Sequence, residues 1–168
     1  SYPNLTTQEG GEFFNVFYDF GIPAVCVNRS TSSSQSVGEC ESATNALLKE
    51  NAEVNVGGQV VINPATRTAT ITVEAYYTAD SKENSNYLTV MMLQDSILGY
   101  QNGASSNPAQ VINGNYCHMH ILRDIITPTW GDEFSPTTAG TLVTKSYVYE
   151  IPEVIGATNG VEVELDNI

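Results

Sequence analysis

His118 and His120 are the residues closest to metal chemistry. They lie two apart in Tyr116-Cys117-His118-Met119-His120-Ile121, whose alternation reads as a strand. On an unbroken strand, residues i and i+2 share a face, so both imidazoles would point the same way. Two imidazoles begin a zinc site that needs two further ligands, or one and a water. Asp124, Asp132 and Glu133 are nearby in sequence only. Packing against Tyr116 and Trp130, with bonds to neighbouring backbone, accounts for the pair without a ligand, so no metal or other cofactor is expected. Nucleophilic catalysis needs Ser or Cys, a histidine base and an orienting acid. The serines crowd into Ser30–Ser36, and no Gly-x-Ser-x-Gly elbow occurs. Cys117 adjoins His118, but neighbours on a strand face opposite ways. No catalytic residue is expected.

Cys26, Cys40 and Cys117 form no Cys-x-x-Cys, which removes dithiol exchange and a zinc knuckle. Cys26 and Cys40 either close a disulfide loop in an oxidising compartment or stay thiols that pack like small hydrophobes. Glu150, Glu153, Glu162, Glu164 and Asp166 offer oxygens that suit Ca²⁺. Glu162 and Glu164 nevertheless alternate with Val161, Val163 and Leu165, the pattern of a half-buried strand with an acidic outer face. Tyr76, Tyr77, Tyr87, Tyr100, Tyr147 and Tyr149 supply either a sugar-stacking platform or ordinary strand residues.

The balance of 6 basic against 19 acidic residues gives a net charge of -13. Such a chain repels phosphate backbones, so nucleic acid is excluded as a partner, and anionic lipid is disfavoured. With 41% apolar residues in a chain of 168, a buried core is expected. No apolar run approaches the roughly 20 residues of a membrane-spanning helix. The chain opens Ser1-Tyr2-Pro3 without a methionine and reads as an excised piece.

These residues need elements to hold them. Phe13, Phe14, Phe17 and Phe20 form a helical stripe over Glu12–Phe20, stopped by Gly21. Ile22–Asn28 reads as a proline-led strand, and Ser42–Glu50 as a helix capped by Ser42. From Val54 the period is two. Strands are predicted over Val54–Ile62, Thr68–Thr78, Tyr87–Leu93, Tyr116–Ile121, Thr141–Ile151 and Val161–Leu165. Ile71, Val73, Val90, Leu93, Ile121 and Val148 are the expected core. The 16-residue Gly99–Gly114 connection reads as a surface loop, with Asn102, Ser105, Ser106 and Asn107 as candidate binding residues. The fold class is therefore mainly β: an antiparallel β-sandwich, Ig-like or jelly-roll-like, over residues 53–168, preceded by an α/β segment over residues 1–52.

Gly21-Ile22-Pro23-Ala24-Val25-Cys26-Val27-Asn28-Arg29 resembles the proline-led strand of thioredoxin-like domains, and helix, glycine, strand, loop, helix is the order of their last third. Leu88-Thr89-Val90, Gln94–Gln101, Asn115–Arg123 and Trp130-Gly131-Asp132 resemble the Omp28-type outer-membrane lipoproteins of the Bacteroidetes. This resemblance covers nearly the whole chain, and Tyr116–Arg123 is its most specific part. It implies that residues 1–52 are the remnant of a thioredoxin-like domain, with a cis peptide at Ile22–Pro23. It also implies a lipoprotein signal and lipidated cysteine upstream, so that membrane contact runs only through that anchor. The implied role is non-catalytic: adhesion or binding of a protein or glycan partner at the cell surface or outer membrane. The alternative is an accessory domain of a thioredoxin-like thiol-disulfide protein whose redox motif lies outside this chain. Asp95-Ser96-Ile97 also fits the O-glycosylation acceptor pattern of the Bacteroidetes.

Overall fold

Helix α1 (Gln8–Phe17) starts at Thr7, whose hydroxyl accepts the Gly10 N–H at 3.0 Å. The fold is that of a computed structural model describing residues 2–18, 24–29, 35–156 and 158–168. The predicted start at Glu12 therefore moves back to the cap, and Phe20, Gly21 and the Ile22–Pro23 peptide lie outside the described residues. Phe13 and Phe17 meet Trp130, with ring centroids 5.4 and 6.1 Å away, while Phe14 stacks on Tyr18. The Arg29 guanidinium lies over the Phe13 ring at 5.6 Å.

The proline-led strand is short. β1 (Ala24–Val25) pairs antiparallel with β2 (Gln35–Ser36), and Val27–Arg29 turns into a 3₁₀ segment with Asn28 and Arg29 at φ 56° and 52°. Left-handed residues end extended backbone. α2 (Val37–Leu47) begins at Ser36, not Ser42. The Glu39 carboxylate accepts from the Ser36 N–H at 3.0 Å and from its hydroxyl at 2.8 Å. Ser42 sits inside the helix, its hydroxyl donating to the Glu39 carbonyl.

The remaining strands are β3 (Val54–Asn63), β4 (Thr68–Tyr77), β5 (Asn86–Leu88), β6 (Met91–Gln94), β7 (Ile97–Gly99) and β8 (Val111–Ile112). They continue as β9 (Asn115–His118), β10 (Ile121–Ile125), β11 (Asp132–Phe134), β12 (Leu142–Glu150), β13 (Val154–Ile155) and β14 (Val161–Glu162). The main sheet runs β12-β4-β3, and β7-β9-β8 forms a second three-stranded sheet. β5–β11, β6–β10 and β13–β14 are two-stranded ladders. All pairings are antiparallel, as the period-two pattern predicts. The layer facing the main sheet is thus built from short ladders.

Ala69, Ile71, Val73, Ala75 and Tyr77 alternate along β4 and are all buried. They pack with Met92, Ile151, Val163 and Phe134. Burying one side chain of this size contributes about 1.5–3 kcal/mol. The expected core needs two corrections. Ile71 and Val73 are buried and Val90 and Ile121 half-buried, but Leu93 and Val148 are 41% and 73% exposed. On β6 the inward positions are Met92 and Gln94. On β12 they are Tyr147 and Tyr149, whose hydroxyls find carboxylate partners inside, so Val148 faces out. The predicted Tyr87–Leu93 strand is two strands. Val90 leaves the ladder between them to bond Thr127 Oγ1 at 3.2 Å and the Ile126 N–H at 2.9 Å. Likewise Val161–Leu165 is strand only to Glu162, with a 3₁₀ turn over Leu165–Asn167.

Candidate functional site

The histidine segment is not one strand. Across the break the two ladders keep one register, Gln94 facing Ile121 and Ile97 facing His118, and the one-residue shift of β6–β10 falls further along, between Leu122 and Asp124. Asp95 and Ser96 therefore stand opposite His120 and Met119 with no residue gained or lost. Ser96 and His120 are left-handed, at φ 63° and 55°, a conformation unfavourable for any residue with a Cβ. The Asp95 carboxylate holds the kink by accepting the His120 N–H at 2.6 Å, and the Ser96 N–H points at Met119 Sδ at 3.4 Å.

The kink separates the two imidazoles. His118 is half-buried, its ring 5.1 Å from that of Tyr116. Its Nε2 is buried without a hydrogen-bond partner among the described residues, close to Gly99, where a Cβ would lie 3.4 Å from it and 2.8 Å from Pro3 Cγ. The His120 side chain is 76% exposed, with Nδ1 3.9 Å from Asp95 Oδ1. Asp95, Ser96, Met119, His120, Asp166 and Asn167 surround a shallow cleft of about 400 Å³. Among the described residues, no three His, Cys, Asp or Glu side chains gather as a metal-holding group.

The other carboxylates considered beside the histidines serve β12 instead. Asp124 accepts from the Tyr149 hydroxyl, and Asp132 accepts from Tyr147 Oη at 2.9 Å and Lys145 Nζ at 3.1 Å. Lys145 also donates to the Glu133 carbonyl. The Lys145 and Tyr147 bonds hold the Asp132 carboxyl below its ordinary range. Burial, then the bond to Asp132, pushes Tyr147 up to about 12, and burial with the Asp124 bond raises Tyr149 as well. This seam ties the layers together. Tyr77 is fully buried, its hydroxyl accepting from Asn86 Nδ2, whereas Tyr76, Tyr87 and Tyr100 are exposed.

The acidic C-terminal stretch is held by basic and amide side chains that the sequence did not single out. Arg67 donates to the carbonyls of Ile151, Pro152 and Val163 at 3.2, 3.0 and 2.7 Å. Arg123, 3% exposed, donates to Ile155 and Val161, and Gln94 to Glu162. Burial lowers the Arg123 pKa. The inward parity of Gln94 and Arg123 on short strands is the one signal that could have found them. Cys40 is a half-buried thiol and Cys117 a buried one.

The Gly99–Gly114 connection is not loop throughout: Gly99 is buried at the end of β7 and Val111–Ile112 is strand β8, while the stretch between them is mostly exposed. β7 supplies Gly99 at its start, and 3₁₀ turns cover Ala104–Ser106 and Pro108–Gln110. Gly103 sits at φ 75°, a left-handed conformation that glycine adopts without strain. Asn102, Ser105, Ser106 and Asn107 are all exposed, and Asn107 Nδ2 reaches the Tyr116 hydroxyl at 3.4 Å. Exposed Tyr100 packs on exposed Tyr2, with ring centroids 4.9 Å apart. The four predicted loop residues are thus each exposed, and the Tyr2–Tyr100 pair, which the sequence reading did not bring together, stands at the start of their loop.

No helix among the described residues is long and apolar enough to cross a membrane. No curated protein and no solved structure matches the chain. The profile of the family described as outer membrane protein Omp28 matches residues 12–165, which takes in the main sheet, the kinked hairpin and the exposed loop. The chain belongs to the Omp28 family of outer membrane proteins.

Proposed function

We propose that this chain is a non-catalytic binding module of the outer membrane that engages a protein or glycan partner through the Tyr100–Asn107 surface. The observation that carries this reading is the composition and posture of that loop. Tyr100-Gln101-Asn102-Gly103-Ala104-Ser105-Ser106-Asn107 is rich in Tyr, Ser, Gly and Asn, the residues that binding loops favour. Tyrosine gives rigid contact area, and amides and hydroxyls give adaptable hydrogen bonds. Backbone bonds Ser106 N to Gly103 O at 2.9 Å and Asn107 N to Ala104 O at 3.0 Å hold the loop in shape, which reduces the ordering cost of binding.

The resemblance to Bacteroidetes lipoproteins supports attachment by a lipid anchor upstream of residue 1 and a role in adhesion. Palmitate labelling of the full-length protein tests the anchor. A glycan array probed with the chain tests the surface. Tyr100→Ala and Asn107→Ala are expected to weaken any signal about tenfold, the loss of one ordinary contact. Signals unchanged by both substitutions would remove the loop from the account.

A further inference from the structure

β3 is the outer strand of the main sheet. β4 takes one of its sides, and among the described residues no strand takes the other. Its inward face is also uncovered. Val56 and Val60 are 61% and 58% exposed, although their register partners Ala75 and Ile71 are buried at 6% and 5%. The facing layer therefore stops short of β3 and leaves an apolar cleft of about 340 Å³, with Val60 and Ile62 on one wall and Met91 and Leu93 on the other.

Edges of this length, about 33 Å for ten residues, are normally blunted by lysine, proline, a bulge or an inward charge. Val54-Asn55-Val56-Gly57-Gly58-Gln59-Val60-Val61-Ile62-Asn63 has no charge and no proline, and it pairs with β4 without a bulge. In a chain of net charge -13, a second copy is repelled wherever acidic surfaces meet. β3 itself carries no carboxylate, and the acidic residues nearest it, Glu53 before its start and Glu74 on β4 opposite Gly57, do not face their own copies in an antiparallel pairing about Gly58. Its pattern is also self-complementary. Read antiparallel about Gly58, Val56 falls opposite a second Val60 and Val54 opposite a second Ile62, all on the inward face.

We propose that two copies of this chain pair through β3, antiparallel and centred on Gly58, to form a six-stranded sheet. In that register the partner's Val56 sits beside Val60, and the partner's Val54 beside Ile62, at the mouth of the cleft. The contact is isologous, as a two-fold dimer requires. A contact of ten residues a side is smaller than the roughly 20–30 of a standard interface, so the dimer is weak, in the micromolar range or above.

Sedimentation equilibrium of the chain from micromolar to millimolar concentration tests this. The expected mass rises from 18.1 kDa toward twice that value. Val56→Lys and Val60→Lys, at exposed positions, stay at the single mass while circular dichroism and melting temperature are unchanged. Gly58→Cys reports the register directly. A Cβ there meets only the Thr72 carbonyl at 3.8 Å, an ordinary contact, so the fold tolerates it. Residue 58 faces its own copy, within disulfide reach, and oxidation gives a covalent dimer above the wild-type background. Gln59→Cys faces the partner's Gly57 and stays uncrosslinked. A single mass at every concentration would overturn the proposal. So would a dimer indifferent to both lysines, crosslinking of Gln59→Cys as fast as Gly58→Cys, or a monomeric chain whose β3 edge takes an unrelated extended peptide instead.

Discussion

Tyr147 and Tyr149 show how single hydroxyls decide a register. Both bury their rings beneath the main sheet and send their hydroxyls to Asp132 and Asp124. Valine at those positions would take one donor from each carboxylate, leaving Asp132 with Lys145 and Asp124 with the Ile125 N–H, and a hydrogen bond lost near a core is costly. The ionisation of Tyr147 follows from this. Folding raises its pKa from 10.0 to about 12, so its stabilising contribution is whole below pH 10.0 and is lost as pH climbs toward about 12. Urea midpoints across that interval are expected to fall in the wild type and to fall less in Tyr147→Phe. Asp132 works in the opposite direction. Its depressed pKa gives stability above the ordinary aspartate range that disappears on acidification, and Asp132→Asn is expected to flatten that acid limb. Arg67 is a second residue on which much depends, since its guanidinium holds three carbonyls of the C-terminal stretch. Arg67→Ala is expected to cost about 2–3 kcal/mol in urea unfolding and to speed hydrogen exchange at Val163. These partnerships were not legible in the sequence, because Arg67 and Val163 are joined only by the fold.

At the scale of elements, β4 was the most readable. Its strict alternation, Ala69 to Tyr77, carries its own answer about which face is buried. β12 alternates equally well, yet valine and tyrosine compete for the inner face, and periodicity alone does not say which wins. The comparison is testable by melting temperature. Val148→Lys is expected to change stability by no more than about 0.5 kcal/mol, and Ile71→Ala to cost about 2–5 kcal/mol. The kink between β9 and β10 was illegible for another reason. Met119-His120 looks like continuing strand until Asp95, in the break between β6 and β7, accepts the His120 N–H. Asp95→Ala removes that acceptor and is expected to cost about 1–2 kcal/mol, with the largest NMR shift changes at Ser96 and His120. The Ser36–Glu39 cap was present in the sequence as Ser-x-x-Glu, hidden in a serine-rich run.

For the whole molecule, the net charge of -13 opposes contact with a phosphate backbone whatever the fold. The mainly β, antiparallel class and the Omp28 family were legible from the strand pattern and from Tyr116–Arg123. The facing layer was less so, because its short ladders carry too few residues each to show a period. The candidate loop was visible as composition, while its neighbour Tyr2 was not, since only the fold brings it to Tyr100. The account rests on that loop as the recognition surface of a binding module. Its most direct test removes Asn102–Pro108 and measures both binding of the labelled chain to host and bacterial cells and its melting temperature. The loop contributes little to the core, so the account predicts that binding is lost while the melting temperature stays nearly unchanged. Undiminished binding by the shortened chain would contradict it.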